Sequence, residues 1–238
     1  MNTHKEIEEI IKNGGMMAVN KPVGPSSYDV IRAIKKIAQK KEKIGHAGTL
    51  DPLAEGVIVV AIKREYTKKI GRITNKEKVY EAEFTLGQTS ETDDHEGEKV
   101  DTNKSQRRPE KDEIEQVISQ YIGHINQTPP AYSAIKINGK PSYKRARKGE
   151  VVEMKQRPVW IKEIVIKEYN YPTLSLTVTT GPGVYIRALA RDIGESLKTG
   201  AYMSALKRTR IGEYTLADAL DFGKLEKMAQ PKDIDKNQ

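Results

Sequence analysis

Hydrophobic and polar residues follow two regular patterns along the chain, and each pattern predicts its own secondary structure. Residues 78–86, KVYEAEFTL, alternate, with Tyr80 among the apolar positions, which indicates a strand with one buried face. The run at 56–62 is almost wholly apolar and predicts a buried strand. Apolar residues at helical spacing predict helices within residues 26–40 and 185–197.

The other predicted elements mix strands and helices without strict alternation, so we expect an α+β fold with a mixed sheet. Residues 87–109 are polar and acidic and are expected to form a loop, and the chain after Phe222 is expected to fray. Asn138-Gly139 predicts a hairpin turn. Within residues 131–143 a strand is predicted to run into this turn. The remaining predicted elements are helices at 4–12 and 110–122, strands at 16–19, 158–170, 173–180 and 202–212, and a short last helix that Thr215 and Asp218 open.

Charge is distributed unevenly along the chain, and this distribution bears on the partner. The formal net charge is +8, from 41 Lys and Arg against 33 Asp and Glu. Basic residues dominate 32–43 and 136–148, whereas residues 81–98 carry acids and no Lys or Arg. A nucleic acid is expected to contact the first two stretches and to avoid the third. The alternative is that the lysine-rich faces only keep the protein in solution.

The sequence excludes or disfavours several classes of protein and site. The chain contains no cysteine, which rules out thiolate zinc sites, thiol nucleophiles and disulfides and fits a cytoplasmic protein. Its longest apolar run is far too short to span a membrane, and its charged N-terminus does not resemble a signal peptide. GHAGTLDP and GPGVYI lack residues that phosphate-binding and dinucleotide-binding loops require. The acidic stretch 93–96 is more typical of a solvated loop than of a cation site, so no metal is predicted.

One carboxylate, Asp51, lies in a mostly apolar turn between glycines, GHAGTLDPLAEG. Leu50 precedes it, and Pro52, Leu53 and Ala54 follow. An Asp before a proline is commonly a turn or N-cap residue, which is the structural alternative. A carboxylate among apolar groups is desolvated, however, and its anion then needs a cationic partner or its pKa rises. Asp51 is therefore a candidate catalytic group as well as a candidate turn residue.

Six blocks of sequence, in order from Lys21 to about Ala219, resemble the bacterial TruB family, which converts uridine-55 in the T loop of tRNA to pseudouridine. The blocks are NKPVGPSS, GHAGTLDPLAEGVIVV, KVYEAEFTLGQTSETDDHEG, QTPPAYSAIKINGKPSYKRARKGE, GVYIRALARDIG and AYMSALKRTRIGEY. The resemblance implies the pseudouridine-synthase fold, a mixed, largely antiparallel sheet flanked by helices, with a basic thumb-like insertion at about 128–157. It also implies a catalytic domain at 1–223 and a polar tail at 224–238. We expect a short form of the family, without the small C-terminal RNA-binding domain that relatives commonly carry.

The resemblance assigns roles to residues that match the family's motifs. Asp51 is implied to be catalytic, with Arg187 paired to it. Tyr80 would pack on the target base, where the pattern alone predicts a core aromatic. For Arg187 the alternative is a solvated helix surface, although a cation near a helix N-terminus is disfavoured unless an anion lies nearby. The other implied site residues are Leu206, which would line the pocket, His46, which would lie where the T-loop bases leave their stack, and Lys21, which with Pro22 would support the site.

The implied reaction is an isomerisation, so the resemblance implies no cofactor and no metal. The implied partner is tRNA, bound at its T stem-loop with the target base flipped and with phosphate contacts from the two basic stretches. We expect a cytoplasmic monomer with no membrane or protein partner and with a thumb-like insertion that is mobile without tRNA. The alternatives are a non-catalytic tRNA-folding chaperone, a plain RNA-binding module, and a guide-dependent relative that acts on ribosomal RNA.

Overall fold

The computed structural model describes residues 4–38, 42–102, 107–133, 135–137 and 139–230. Its helices are α1 (His4–Asn13), α2 (Ser27–Ala38), α3 (Arg64–Thr67), α4 (Ile70–Thr74), α5 (Lys111–Ser119), α6 (Ser142–Ala146), α7 (Ile186–Ser196) and α8 (Phe222–Met228). Its strands are β1 (Gly15–Lys21), β2 (Ile44–Ala47), β3 (Glu55–Ile62), β4 (Lys78–Leu86), β5 (Gln88–Ser90), β6 (Lys99–Asp101), β7 (Gly123–Gln127), β8 (Lys136–Ile137), β9 (Lys140–Pro141), β10 (Arg157–Asn170), β11 (Thr173–Thr180), β12 (Ala201–Ile211), β13 (Tyr214–Thr215) and β14 (Leu220–Asp221). These elements form two compact units, one drawn from residues 1–78 and 207–238 and the other from residues 79–206.

The first unit is built around β3, which is buried along nearly its whole length. β3 pairs antiparallel with β1 and β2 and parallel with the end of β12 through residues 55–56, and β1 pairs parallel with β14. Ile58 and Val60 contribute to a core with apolar residues of α1, α2 and α8. Val57 and Val59 contribute to a second, smaller core. The apolar run therefore forms the predicted buried strand, with a core on each face.

The second unit contains a sheet in which the first half of β12 is followed by β4, β11, β10 and β7. β10 pairs antiparallel with both β11 and β7. Alternate residues of β4 are buried from Tyr80 to Leu86, as the sequence pattern predicts. α7 buries an apolar face that includes Leu189 and Ile193. Mixed strand directions and flanking helices confirm the expected α+β fold.

The acidic segment 87–109 is not simply a solvated loop. Strands β5 and β6 pair with each other within it. Between these strands, Asp93 and Asp94 are buried. The pattern of acidic and polar residues hides this burial, because the partners that compensate the two charges lie far away in the sequence.

The end of the described chain is also more ordered than its polar sequence indicates. α8 begins at Phe222, and the side chain of Asp221 caps it by accepting a hydrogen bond from the amide of Lys224 at 3.1 Å. Leu225 on this helix is fully buried. Where the sequence predicts the last helix, Thr215 instead ends strand β13 and residues 216–218 form a turn, and α8 follows further along the chain.

The basic insertion contains a hairpin, as the sequence predicts within 131–143, and a helix that the sequence does not predict. β8 and β9 pair antiparallel, and α6 follows directly. Gly139 has a φ of +80°, as a tight hairpin turn requires, while Asn138 lies outside the described residues. The limits of the catalytic domain and the mobility of the insertion stay predictions. None of the described helices is long and apolar enough to cross a membrane.

Candidate active site

Asp51 lies in the short connection between β2 and β3, which we call the Asp51 loop (residues 48–54). Its apolar neighbours Leu50, Leu53 and Ala54 are buried, as the sequence predicts, while Asp51 itself is half-buried. The amide of Ala54 donates to the Asp51 carbonyl at 3.0 Å and closes a turn. The aspartate therefore occupies a turn, yet its side chain is attached to a loop whose flanks are fixed in the core.

Ser27 holds the Asp51 loop through Leu50. The Ser27 hydroxyl donates to the Leu50 carbonyl and accepts from the Leu50 amide, each at 2.8 Å. The sequence assigns the cap of α2 to Ser26 or Ser27, and the structure gives it to Ser26, whose hydroxyl exchanges hydrogen bonds with Asp29. Ser27 is therefore available to anchor the loop instead.

Lys21 supports the same loop from β1. Its buried ammonium donates to the carbonyls of Pro22 at 2.7 Å and Pro25 at 2.8 Å and, at a longer 3.5 Å, to that of Pro52. Burial lowers the pKa of Lys21 to about 8, although the charge of Asp51 opposes this shift. These contacts fit the supporting role that the family resemblance implies, because the ammonium is bonded to backbone rather than exposed at a surface.

Arg208, on β12, contacts the loop and the start of β3, and sequence reasoning missed it. Its guanidinium donates to the carbonyls of Val57 at 2.8 Å, Gly48 at 3.2 Å and Thr49 at 3.3 Å. The side chain is 2% exposed. A sequence signal for it is the glycine at 56, because a Cβ there would lie 2.2 Å from the Arg208 carbonyl oxygen.

His46 lies on β2, directly before the Asp51 loop, and is half-buried. It pairs with Val60 of β3. Burial lowers the pKa of His46, and the charge of Arg208 lowers it further. The imidazole therefore favours its neutral form.

In the second unit, Arg187 lies in the first turn of α7 and is buried. Its guanidinium donates to the Asp94 carboxylate at 3.1 Å, to the Thr92 carbonyl at 3.3 Å and to the Tyr132 carbonyl at 2.8 Å. A cation in the first turn of a helix is disfavoured by the helix dipole, and the Asp94 carboxylate compensates the charge of Arg187 there. The alternative of a solvated Arg187 is therefore wrong.

Arg191, one helical turn further along α7, repeats this arrangement. It forms an ion pair with Asp93 at 2.7 Å and donates to the Thr128 carbonyl at 2.8 Å. Burial raises the pKa of Asp93 to about 6, with the charges of Arg191 and Arg187 opposing the shift. The pair of consecutive aspartates is thus a structural element, and sequence reasoning treated it as a solvated stretch.

The other predicted site residues of the second unit lie on strands. Tyr80 is buried on β4, and Leu206 is half-buried on β12. Asp51 and Arg187 belong to different units, so their pairing stays a prediction. Among the described residues, no three His, Cys, Asp or Glu side chains are grouped closely enough to hold a metal ion. The chemistry that these residues offer is that of a positioned carboxylate together with buried cations.

The α+β fold is that of the pseudouridine synthase class. Residues 35–186 match the family described as TruB family pseudouridylate synthase (N terminal domain), and residues 187–237 match the tRNA pseudouridylate synthase B C-terminal domain. The chain belongs to the TruB family. It is therefore an enzyme that makes pseudouridine.

Relatives and solved structures agree with this assignment. tRNA pseudouridine synthase B of Bacteroides fragilis is 38% identical over 229 residues, which cover 94% of this chain and 97% of the relative. Its counterpart in Clostridium kluyveri is 42% identical over 206 residues, covering 87% of this chain and 70% of the relative. A chain in the crystal structure of a Cbf5-Nop10-Gar1 complex superposes with a TM-score of 0.69 at 28% identity, over 94% of this chain and 62% of that one. A chain in the structure of an H/ACA RNP bound to a substrate RNA containing 2′-deoxyuridine gives a TM-score of 0.68 at 27% identity, over 93% and 55%.

Proposed function

We propose that this enzyme isomerises uridine-55 in the T loop of tRNA to pseudouridine, with Asp51 as the catalytic carboxylate. The observation that carries the proposal is the construction of the Asp51 loop. Ser27, Lys21 and Arg208 bond to its backbone and hold Asp51 in a fixed turn. A carboxylate held in this way is oriented before the substrate arrives, which lowers the cost of reaching the transition state.

The reaction needs one group at the sugar and no redox chemistry. The bond from ribose C1′ to uracil N1 breaks, a bond from C1′ to C5 of the same uracil forms, and the C5 proton is lost while N1 gains one. The Asp51 carboxylate acts at the ribose, either as a nucleophile or as the base that removes a sugar proton. Product and substrate have the same atoms, so neither a cofactor nor a second substrate is consumed.

Four other residues are assigned to holding the target base and to drawing it out of the RNA stack. Tyr80 holds the freed uracil by stacking, which does not depend on which edge of the ring faces it. Arg187 keeps the Asp51 carboxylate ionised, and Leu206 completes the apolar pocket. His46 contacts the T loop where the bases are drawn out. These four roles rest on the match of each residue to a family motif.

Binding energy from phosphate contacts supports base flipping. Extruding one base costs a few kcal/mol, and contacts between phosphates and basic side chains offset this cost. The described residues of the basic stretch 136–148 include Lys144 and Arg145 on α6. The stretch at 32–43 contributes Arg32 and Lys35, which lie over the exposed ring of Tyr28. Recognition is then of T-loop shape rather than of a long sequence.

A tRNA transcript without modifications tests the proposal. The purified chain is incubated with this transcript and with a matched transcript that has cytidine at position 55, and pseudouridine is mapped by chemical derivatisation and primer extension. We expect one pseudouridine, at position 55, in the first transcript and none in the second. Product only at other uridines, or no product with a correctly folded transcript, contradicts the proposal.

A further inference from the structure

Arg208 is buried close to other basic side chains. Burial lowers the pKa values of Lys21, Lys78 and His46, and the charge of Arg208 lowers them further. The role of Arg208 follows from the contacts that its guanidinium makes.

The bonds of Arg208 enclose the Asp51 loop from both ends. Gly48 and Thr49 precede Asp51, and Val57 follows it, so a single guanidinium fixes carbonyls on both sides of the carboxylate. A guanidinium is a planar fork with donors in set directions, so it also fixes the positions of these carbonyls relative to one another. The backbone on either side of Asp51 is thereby held to one geometry.

The backbone of Arg208 contacts the same segment. β12 pairs with β3 at Arg208 and Gly56, and a Cβ on Gly56 would lie 2.2 Å from the Arg208 carbonyl oxygen. Gly56 has a φ of +110°, which an L side chain rarely adopts. Both the main chain and the side chain of Arg208 therefore depend on the path that the chain takes around Asp51.

We propose that Arg208 is a positioning residue that sets the direction of the Asp51 carboxylate. The proposal rests on the catalytic role proposed above for Asp51. Arg208 acts on the chemical step and not on tRNA affinity, because its guanidinium is bonded to backbone inside the first unit and the residue is only 2% exposed.

Arg208→Lys tests the proposal, since lysine keeps the charge and replaces the fork by one ammonium. The rate constant of pseudouridine formation is measured in single turnover with enzyme in saturating excess, the tRNA dissociation constant by filter binding, and folding by thermal unfolding. We expect the rate constant to fall about 100-fold, the loss typical of a displacement of about 1 Å in a catalytic group, with the dissociation constant unchanged.

Arg210→Lys is the matched control. Arg210 lies on the same strand, forms an ion pair with Glu77 and donates to the Gly212 carbonyl at 3.1 Å. The same chemical change there is expected to leave both the rate constant and the dissociation constant at wild-type values. Arg208→Met separates charge from geometry, and we expect it to be at least as impaired as Arg208→Lys.

Two results would overturn the inference. One is an Arg208→Lys rate constant within about tenfold of wild type; if Arg208→Met then shows a large loss, the effect belongs to charge alone. The other is a loss confined to tRNA affinity.

If Arg208→Lys does not fold, Gly48→Ala tests the same positioning role. Among the described residues, a Cβ on Gly48 would meet the Arg208 guanidinium, at 3.8 Å. Gly48 has a φ of +82°, which is unfavourable for an L residue. We therefore expect alanine at this position to strain the backbone and to shift the carbonyl that Arg208 binds. A reduced single-turnover rate in folded Gly48→Ala supports the inference, and a wild-type rate overturns it.

Wild type and Asp51→Asn are measured alongside these variants. If wild type is active and Asp51→Asn inactive, a normal Arg208→Lys rate refutes only the positioning role, whereas an active Asp51→Asn refutes the proposed function as well.

Discussion

Two loops of this protein carry aspartates and are held by buried cations, but they are held in opposite ways. In the Asp51 loop, Lys21 and Arg208 donate to backbone carbonyls. In the segment between β5 and β6, arginines of α7 donate to the carboxylates of Asp93 and Asp94 themselves. The first arrangement fixes the chain that carries a carboxylate, and the second uses the carboxylates as structural acceptors.

On the proposed function, this difference separates a carboxylate kept for catalysis, Asp51, from one used for structure, Asp94. Asp94 is 1% exposed and bonded to a buried guanidinium, whereas Asp51 is half-buried on a loop whose backbone is already fixed. Breaking the two arrangements should therefore have different consequences. Loss of the Asp94 carboxylate should reduce the free energy of unfolding, and loss of the Asp51 carboxylate should reduce the rate of pseudouridine formation.

Asp94→Asn is expected to have the largest effect on folding. It removes one partner of the buried Arg187–Asp94 ion pair, and breaking a buried pair in this way costs about 3–5 kcal/mol in the free energy of unfolding. Urea unfolding measures this loss. Glu96→Gln, at an exposed position of the same segment, is the control and should change the free energy of unfolding by less than about 0.5 kcal/mol. Equal effects of the two substitutions would contradict the structural role of Asp94.

Gly56→Ala is expected to destabilise the protein by about 3 kcal/mol, from overpacking against the Arg208 backbone together with an unfavourable φ. Gly24 offers a matched control, because its φ of +107° is close to the +110° of Gly56 while a Cβ there meets nothing within 4 Å. Gly24→Ala should therefore cost only about 1 kcal/mol. Similar losses for the two variants in urea unfolding would show that contact with Arg208 is unimportant.

Ser27→Ala is expected to cost about 2 kcal/mol, because it leaves the buried amide and carbonyl of Leu50 without their hydroxyl partner. Ser26→Ala, one residue earlier, removes a helix cap instead and should cost about 1 kcal/mol. Thermal and urea unfolding give the free energies. The two variants should also differ in single-turnover rate, since only Ser27 bonds to the Asp51 loop, and equal rates would contradict this assignment.

The smallest expected effect, taken per pH unit, is a dependence of stability on pH. Lys78 donates to the carbonyls of Thr74 and Lys76, and burial lowers its pKa from 10.5 to about 8. Between about pH 8 and 10.5 the unfolded chain holds this proton and the folded chain has released it, so stability rises with pH in that window. Relative to Lys78→Met, the free energy of unfolding of wild type should rise by about 1 kcal/mol per pH unit, and a fall in this difference would contradict the burial of a charged amine.

The sequence predicts the parts of the fold in which one local pattern decides the outcome. The apolar run of β3 and the alternation of β4 both give the observed strands, because burial on two faces or on one follows directly from residue spacing. The apolar surroundings of Asp51 are local as well, so the order of residues is enough to single out the loop. The catalytic role proposed for Asp51 and the binding roles proposed for Tyr80, Leu206 and His46 rest on the family resemblance rather than on spacing.

The residues that sequence reasoning misses depend on distant partners. Arg208 resembles any basic residue of a lysine- and arginine-rich strand until the loop at 48–54 is placed beside it. Asp93 and Asp94 lie about 95 positions from the arginines that bind them, so an acidic run that resembles a solvated loop is in fact buried. α8 is hidden for a similar reason, because Leu225 packs against helices from the beginning of the chain.

The most direct measurement is the single-turnover conversion of T-loop uridine by Asp51→Asn, with tRNA binding and thermal unfolding measured on the same preparation. The substitution keeps the size of the side chain and removes its ability to act as an anion. We expect Asp51→Asn to fold and bind tRNA like wild type and to form no pseudouridine at position 55. Formation of pseudouridine at the wild-type rate by this variant would contradict the catalytic role of Asp51.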